Sequence, residues 1–153
     1  MTKVPQLPFL EQIQEQSISY NELKGNEHKK NLGQFFTDIN IAKFMASLAN
    51  VNIKQHEINI LDCGSGNGIL AISLLQRLDT LNLSLNVKLH LYEIDQDIIY
   101  SLKSNIEMLQ SHLKNVDLSF TIYQENFILK DINQKFDFII SNPPYFKLNK
   151  ASN

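Results

Sequence analysis

Cysteine is almost missing from this chain. Cys63 stands alone, so no intrachain disulfide can form and a disulfide-stapled secreted scaffold is excluded. Arginine is as rare: thirteen lysines accompany a single Arg77, which leaves no guanidinium cluster for bidentate contacts to phosphate or guanine. Positive charge is not in excess either. With a net charge of -2 and a pI of about 6.1, bulk electrostatics would not hold a nucleic acid, so any such partner needs local charge or charge from elsewhere. No apolar stretch reaches the length of a membrane span. The opening MTKVPQLPFLEQIQEQ lacks the apolar core and small-residue exit of a signal peptide. A cytoplasmic protein without membrane association is expected. What the chain does have is 153 residues at 43% hydrophobic content, enough for one core of useful size.

The apolar spacing resolves into alternating elements. Leu7, Leu10, Ile13 and Ile18 suit a short amphipathic helix, with Pro8 near its first turn, and the polar stretch YNELKGNEHKKNLG then reads as loop or frayed helix. FFTDINIAKFMASLAN starts at a Thr37/Asp38 cap and predicts a helix with Ile41, Phe44, Met45 and Leu48 on one face. EINILD predicts a strand, and GSGNGILAISLLQRL turns directly into a helix whose inner face is Ile69, Ile72, Leu75 and Leu78. VKLHLYEID is a second strand, followed by a helix repeating Ile98, Ile99, Leu102, Ile106 and Leu109. LSFTIYQEN and KFDFIISN give a third and a fourth strand. Strands that alternate with helices imply parallel pairing and right-handed crossovers, hence an α/β layered sheet.

In such a sheet ligands collect at the carboxyl ends of the strands, where loops splay apart and helix N-termini point inward. Each strand here ends in something chemical. Asp62 ends the first, and Gly64, Gly66 and Gly68 permit a tight turn and close approach of backbone to a ligand, although a glycine turn also serves plain structure. Glu93 ends the second, where its two carboxylate oxygens match a ribose diol, and Ile94 can cover one face of an adenine ring; a solvated acidic helix start is the plainer alternative. The interval from glycine turn to Glu93, roughly thirty residues, exceeds the roughly twenty of dinucleotide sites, which argues against a nicotinamide dehydrogenase. Asn126 and Phe127 follow the third strand, placed for a purine edge and face, or simply for a turn. SNPPYFKL follows the fourth. Asn142 offers a carbonyl acceptor, Pro143 a carbonyl without an amide hydrogen, and Pro144 further stiffens the turn, while Tyr145 supplies a flat face for stacking. Two acceptors converging on one NH2 group draw its lone pair out of conjugation. That favours attack by the nitrogen on a donor carbon.

Taken in order, LDCGSGNG, LYEID, ENF and SNPPY resemble the cofactor and catalytic motifs of S-adenosylmethionine-dependent amino-methyltransferases. NLGQFFTDINIAKFMASL, ahead of the glycine turn, resembles the additional cofactor motif of the gamma class of DNA adenine-N6 methyltransferases, common in restriction-modification systems. The resemblance covers about Leu32 to Phe146. It implies a Rossmann-like, mostly parallel methyltransferase sheet with helices on both faces. It also implies that Phe36 and Thr37 hold the methionine end of the cofactor, that Asp62 takes its amino group, and that Glu93 binds its ribose hydroxyls. Ile94 and Phe127 would sandwich its adenine. At Asn126 the family usually carries Asp; an amide oxygen can still accept from the cofactor's amino group, but without charge. A target adenine flipped out of double-stranded DNA would stack on Tyr145 and be held by Asn142 and the Pro143 carbonyl. His28, His56, His90 and His112 show no metal-ligand spacing, and no metal is expected.

The family continues past its NPPY segment with further strands and a domain that reads DNA sequence. The expectation is therefore residues 1–31 as a helical or loop extension and 32–153 as part of a catalytic domain, truncated after the fourth strand and weakly active or inactive alone. FDFII, apolar on both faces, would then lie on a sheet edge and invite pairing with a second copy or a partner chain. Two other functions fit the same motifs. One is methylation of RNA adenine or guanine, or of a protein glutamine, against which the GQFFT segment argues. The other is a non-catalytic cofactor-binding module that needs a partner polypeptide.

Overall fold

The computed structural model describes residues 8–32, 36–51, 56–131 and 133–142. Its elements are α1 (Phe9–Leu32), α2 (Ile39–Ser47), β1 (Glu57–Cys63), α3 (Ile69–Asp79), β2 (Leu85–Tyr92), α4 (Gln96–Gln110), β3 (Val116–Tyr123), a 3-10 turn (Phe127–Leu129) and β4 (Phe138–Ile140). The four strands pair in parallel in the order β3-β2-β1-β4. The alternation of strands and helices read from the sequence is present.

One face of the sheet carries the core. Ile58 and Ile60 of β1, Leu85, Val87, Leu89 and Leu91 of β2, Val116 and Leu118 of β3, and Ile140 of β4 fall on one side by strand alternation, and they are buried in a single cluster. All four helices contribute to that cluster. Leu10 and Ile13 come from α1 and Ala42 and Ala46 from α2; Leu102, Ile106 and Leu109 come from α4. Helix α3 is buried nearly all round, because its inner face meets the sheet while α1 and α2 cover its back. The opposite face holds Asn86, Lys88, His90 and Tyr92 of β2 and Asp117, Ser119, Thr121 and Tyr123 of β3, most of them open to solvent. Of the helices expected on both faces, those among the described residues all pack on this one, with α1 and α2 stacked behind α3.

Two expectations change. Helix α1 runs on to Leu32 instead of ending near Ser19. The stretch Glu22, Leu23, Lys24 is made of good helix formers, and one interior glycine costs only about 1 kcal/mol once the preceding turns are fixed by packing. In α2 the buried face is Ala42 and Ala46, with Ile39 and Met45 packed beside them, whereas Ile41, Phe44 and Leu48 are more than half exposed. Small side chains let α2 approach α3 closely, so the larger residues are turned outward. Strand β4 is an edge strand of three residues paired only with β1 among the described strands, and Ile139 on the open face is 66% exposed.

Candidate functional site at the carboxyl edge of the sheet

The residues after β1, β2, β3 and β4 line one edge, since parallel strands end on the same side. Backbone bonds tie the tips together. The amides of Gly64 and Ser65 both donate to the Tyr92 carbonyl, at 2.8 and 2.9 Å, and the Glu93 amide donates to the Tyr123 carbonyl at 3.1 Å. On the other side the Ser141 hydroxyl donates to the Cys63 carbonyl at 2.7 Å.

The glycine turn needs its glycines. Gly64, Gly66 and Gly68 all have positive φ, at 79°, 55° and 90°, a region L side chains rarely enter. A Cβ on Gly68 would stand 2.9 Å from Leu102 Cδ1, so this glycine also lets α3 and α4 approach. A Cβ on Gly64 would meet nothing within 4 Å; the turn faces open space there.

Glu93 is 6% exposed and spans the turn. One carboxylate oxygen accepts from the Gly66 amide at 2.7 Å and the other from the Asp95 amide at 2.9 Å. Burial nevertheless outweighs these bonds and pushes its carboxyl above the usual range. Asp62 lies deeper still, with no exposed surface and no hydrogen bond to either carboxylate oxygen. The Ala71 amide, in the first turn of α3, faces the carboxyl without closing a hydrogen bond to it and gives only weak relief. Desolvation first and the Glu93 charge second raise the Asp62 carboxyl from 3.8 to about 8. Beside it, burial and the Asp62 charge push the Cys63 thiol up to about 11, which makes it a poor nucleophile and fits a packing role.

Thr37 and Asn142, 105 residues apart, meet: the Asn142 side-chain amide donates to the Thr37 hydroxyl at 3.1 Å. The Phe36 ring lies over the turn, with two of its carbons 3.4 Å from where a Gly66 Cβ would be. Asp38, beside them, caps α2 by accepting from the Asn40 amide at 2.7 Å. Ile94 is 47% exposed at the tip of β2. Asn126 is exposed and uses its carbonyl oxygen to accept from the Ile128 amide at 3.1 Å, capping the 3-10 turn, while the Phe127 ring meets Tyr92 edge-on at 5.2 Å. Pro143, Pro144 and Tyr145, expected in the substrate site, lie outside the described residues, as do the residues just before Phe36.

The sequence reading missed the part played by α1. Asn67, in the glycine turn, donates to the Ile13 carbonyl at 2.8 Å and to the Ser17 hydroxyl. Asn105 of α4 donates to Gln16 and to the Asn67 carbonyl, both at 3.0 Å. A groove of about 530 Å³ runs along α1 beside Ile98 and Ser101 of α4; Phe36 and Asn67 also line it. The signal was the spacing of Leu10, Ile13, Ser17 and Tyr20, a single helical face whose lower half is polar.

Comparison with known proteins bears on this geometry directly. Residues 35–153 match the methyltransferase small domain. The chain belongs to that family. The match spans the glycine turn and all four strand tips. The type II methyltransferase M.BsuBI of Bacillus subtilis is 31% identical over 94% of this chain and 30% of its own length. A tRNA1(Val) (adenine(37)-N6)-methyltransferase of Actinobacillus pleuropneumoniae is 33% identical over 64% of this chain and 37% of its own length. The chain thus spans about a third of these two relatives. A solved Pyrococcus horikoshii structure, provisionally described as an RNA methyltransferase, shares the fold with a TM-score of 0.51 at 21% identity, covering 74% of this chain and 50% of that one.

Membership of the methyltransferase small domain family implies S-adenosylmethionine as methyl donor. The residues present fit that group. A buried carboxyl without a partner suits a ligand ammonium, and the open space in front of Gly64 leaves room for the ligand against bare backbone.

Proposed function

We propose that this chain is the donor-binding part of an adenine-N6 methyltransferase acting on DNA, of the type found with restriction systems. S-adenosylmethionine, when bound, supplies a methyl group made electrophilic by its sulfonium sulfur. The observation that carries the reading is the contact between Asn142 and Thr37. It joins the segment that would hold the target amine to the segment that would hold the donor, beside a glycine turn already clamped by Glu93.

The division of labour follows from the groups. Asp62 would balance the donor's ammonium, and Glu93, whose oxygens each have a second lone pair, would take the ribose hydroxyls. With its NH2 group turned to Thr37, Asn142 presents its carbonyl oxygen as the acceptor for an exocyclic amine. Alignment and polarisation are then the main catalytic contributions, and the amine proton leaves to water after transfer. The identity of Asn126 weakens recognition of the donor's adenine, because its oxygen already serves the Ile128 amide.

A second reading, methylation of RNA adenine, is favoured by the tRNA methyltransferase relative. Radiolabelled S-adenosylmethionine offered with adenine-containing duplex DNA, with tRNA and with a release-factor protein separates the readings. Label in DNA adenine N6 supports the first. Label in tRNA alone overturns it, and donor binding with no label in any substrate favours a module that needs a partner chain.

A further inference from the structure

Five groups around the turn form a closed circuit that passes through α1. The Tyr20 hydroxyl donates to Asp95 Oδ2 at 2.5 Å. The Asp95 amide donates to Glu93, and the other Glu93 oxygen holds the Gly66 amide. Phe36 covers Gly66, and the Phe36 ring meets the Tyr20 ring edge-on, centroids 5.9 Å apart. Asp95 does two jobs at once, since its Oδ1 also accepts from the Asp97 amide and so caps α4. Asp95 is 6% exposed, so the Tyr20 bond to it is shielded from water. Burial first and the Asp95 bond second hold the Tyr20 phenol well above its ordinary range, so it stays a donor across all working pH values.

We infer that Tyr20 is a positioning residue for the donor site. It sets the conformation of the Glu93–Asp95 tip through its hydroxyl and the lie of Phe36 over Gly66 through its ring. Helix α1 is then part of the donor site rather than an appendage to it. The inference rests on the proposed donor-binding reading, in that Glu93 and Phe36 are taken to hold the donor. Its physical basis is that a carboxylate fixed by two amides can meet a diol in one orientation only if the amides themselves are held. Gly66 and Asp95 lie 29 residues apart in sequence. Tyr20 reaches one side of that gap through its bond to Asp95 and the other through Phe36, which covers Gly66.

The test is calorimetry with S-adenosylhomocysteine together with backbone hydrogen exchange on the ligand-free chain, for the unaltered protein, Tyr20→Phe, Asp95→Asn and the double variant. Asp95→Asn can keep the capping oxygen while replacing the oxygen that accepts from Tyr20. Tyr20→Phe should weaken binding about tenfold, the scale of one charge-assisted bond, and should cost little more in the Asp95→Asn background. Exchange should quicken by a similar factor at Gly64–Gly68 and at Glu93–Asp97, and not only within α1. Tyr100→Phe, the same chemical change at a site 79% exposed on α4, should alter neither readout.

Unchanged affinity in Tyr20→Phe with faster exchange confined to α1 would overturn the inference and leave the donor-binding reading intact. Failure of the unaltered chain to bind S-adenosylhomocysteine would sink the donor-binding reading. The exchange pattern then still decides the circuit: unaltered exchange at both loops overturns it.

Discussion

At the tips of β1 and β2 the Gly66 and Asp95 amides are held by a buried carboxylate and the turn backbone is bonded to Tyr92, whereas past β3 and along the outer side of β4 the described chain is open. There Asn126 caps only its own turn, Ile128 and Leu129 are 81% and 80% exposed, and Ile139 stands bare on a three-residue edge strand. The first region is preorganised for a ligand and the second is not. Physically the contrast follows from layering. Helices α1, α3 and α4 close around the glycine turn, while the second region borders the uncovered face of the sheet.

Removing Glu93 should erase that contrast most completely. Glu93→Ala leaves the Gly66 and Asp95 amides without their acceptor, and the expected loss is about 3 kcal/mol in denaturant unfolding. Next comes Gly68→Ala, which forces a side chain into φ 90° and against Leu102; about 2–3 kcal/mol should be lost, read as a fall in Tm of several degrees.

Asp62→Asn should move the other way, stabilising the fold while weakening donor binding. The folded carboxyl, at about 8, lies above its ordinary 3.8, so folding favours the protonated acid. Its contribution to stability is therefore full below about pH 4 and is lost as pH rises through 8. The Asn variant removes that loss, and its Tm advantage over the unaltered chain should grow from pH 5 to pH 8.5. Binding of a cationic ligand should conversely release a proton at pH 7. Calorimetry in two buffers of different ionisation enthalpy reads that release.

The open region should respond weakly. Asn126→Ala removes one exposed cap, worth about 1 kcal/mol or less in thermal unfolding. Ile139→Lys should leave monomer stability within about 0.5 kcal/mol. If the edge next to it pairs with a second copy, light scattering should show the unaltered chain as dimer and the variant as monomer.

Much of this was legible in the sequence because the period of burial is local. Strand tips follow from where apolar runs stop, so Asp62, Glu93 and Asn142 could be placed on one edge without coordinates. What was not legible depends on how a helix docks. The outward turn of Phe44 and Leu48 is set by Ala42 and Ala46 against α3, and α1 reaches the turn through Ser17 and, by way of Phe36, Tyr20, residues whose helical spacing marks a face but does not name its partner. Asn126 was open to two readings, and the capping bond to Ile128 is the plainer of them.

The central claim is that the β1 and β2 tips form the donor site, and titration of the chain with S-adenosylhomocysteine at pH 7 and pH 8.5, alongside Glu93→Asp, tests it most directly. The account expects saturable one-to-one binding that tightens with pH and weakens by at least tenfold when the carboxylate is drawn back by one methylene. Equal, pH-independent binding by both proteins, or none by the unaltered chain, would contradict it.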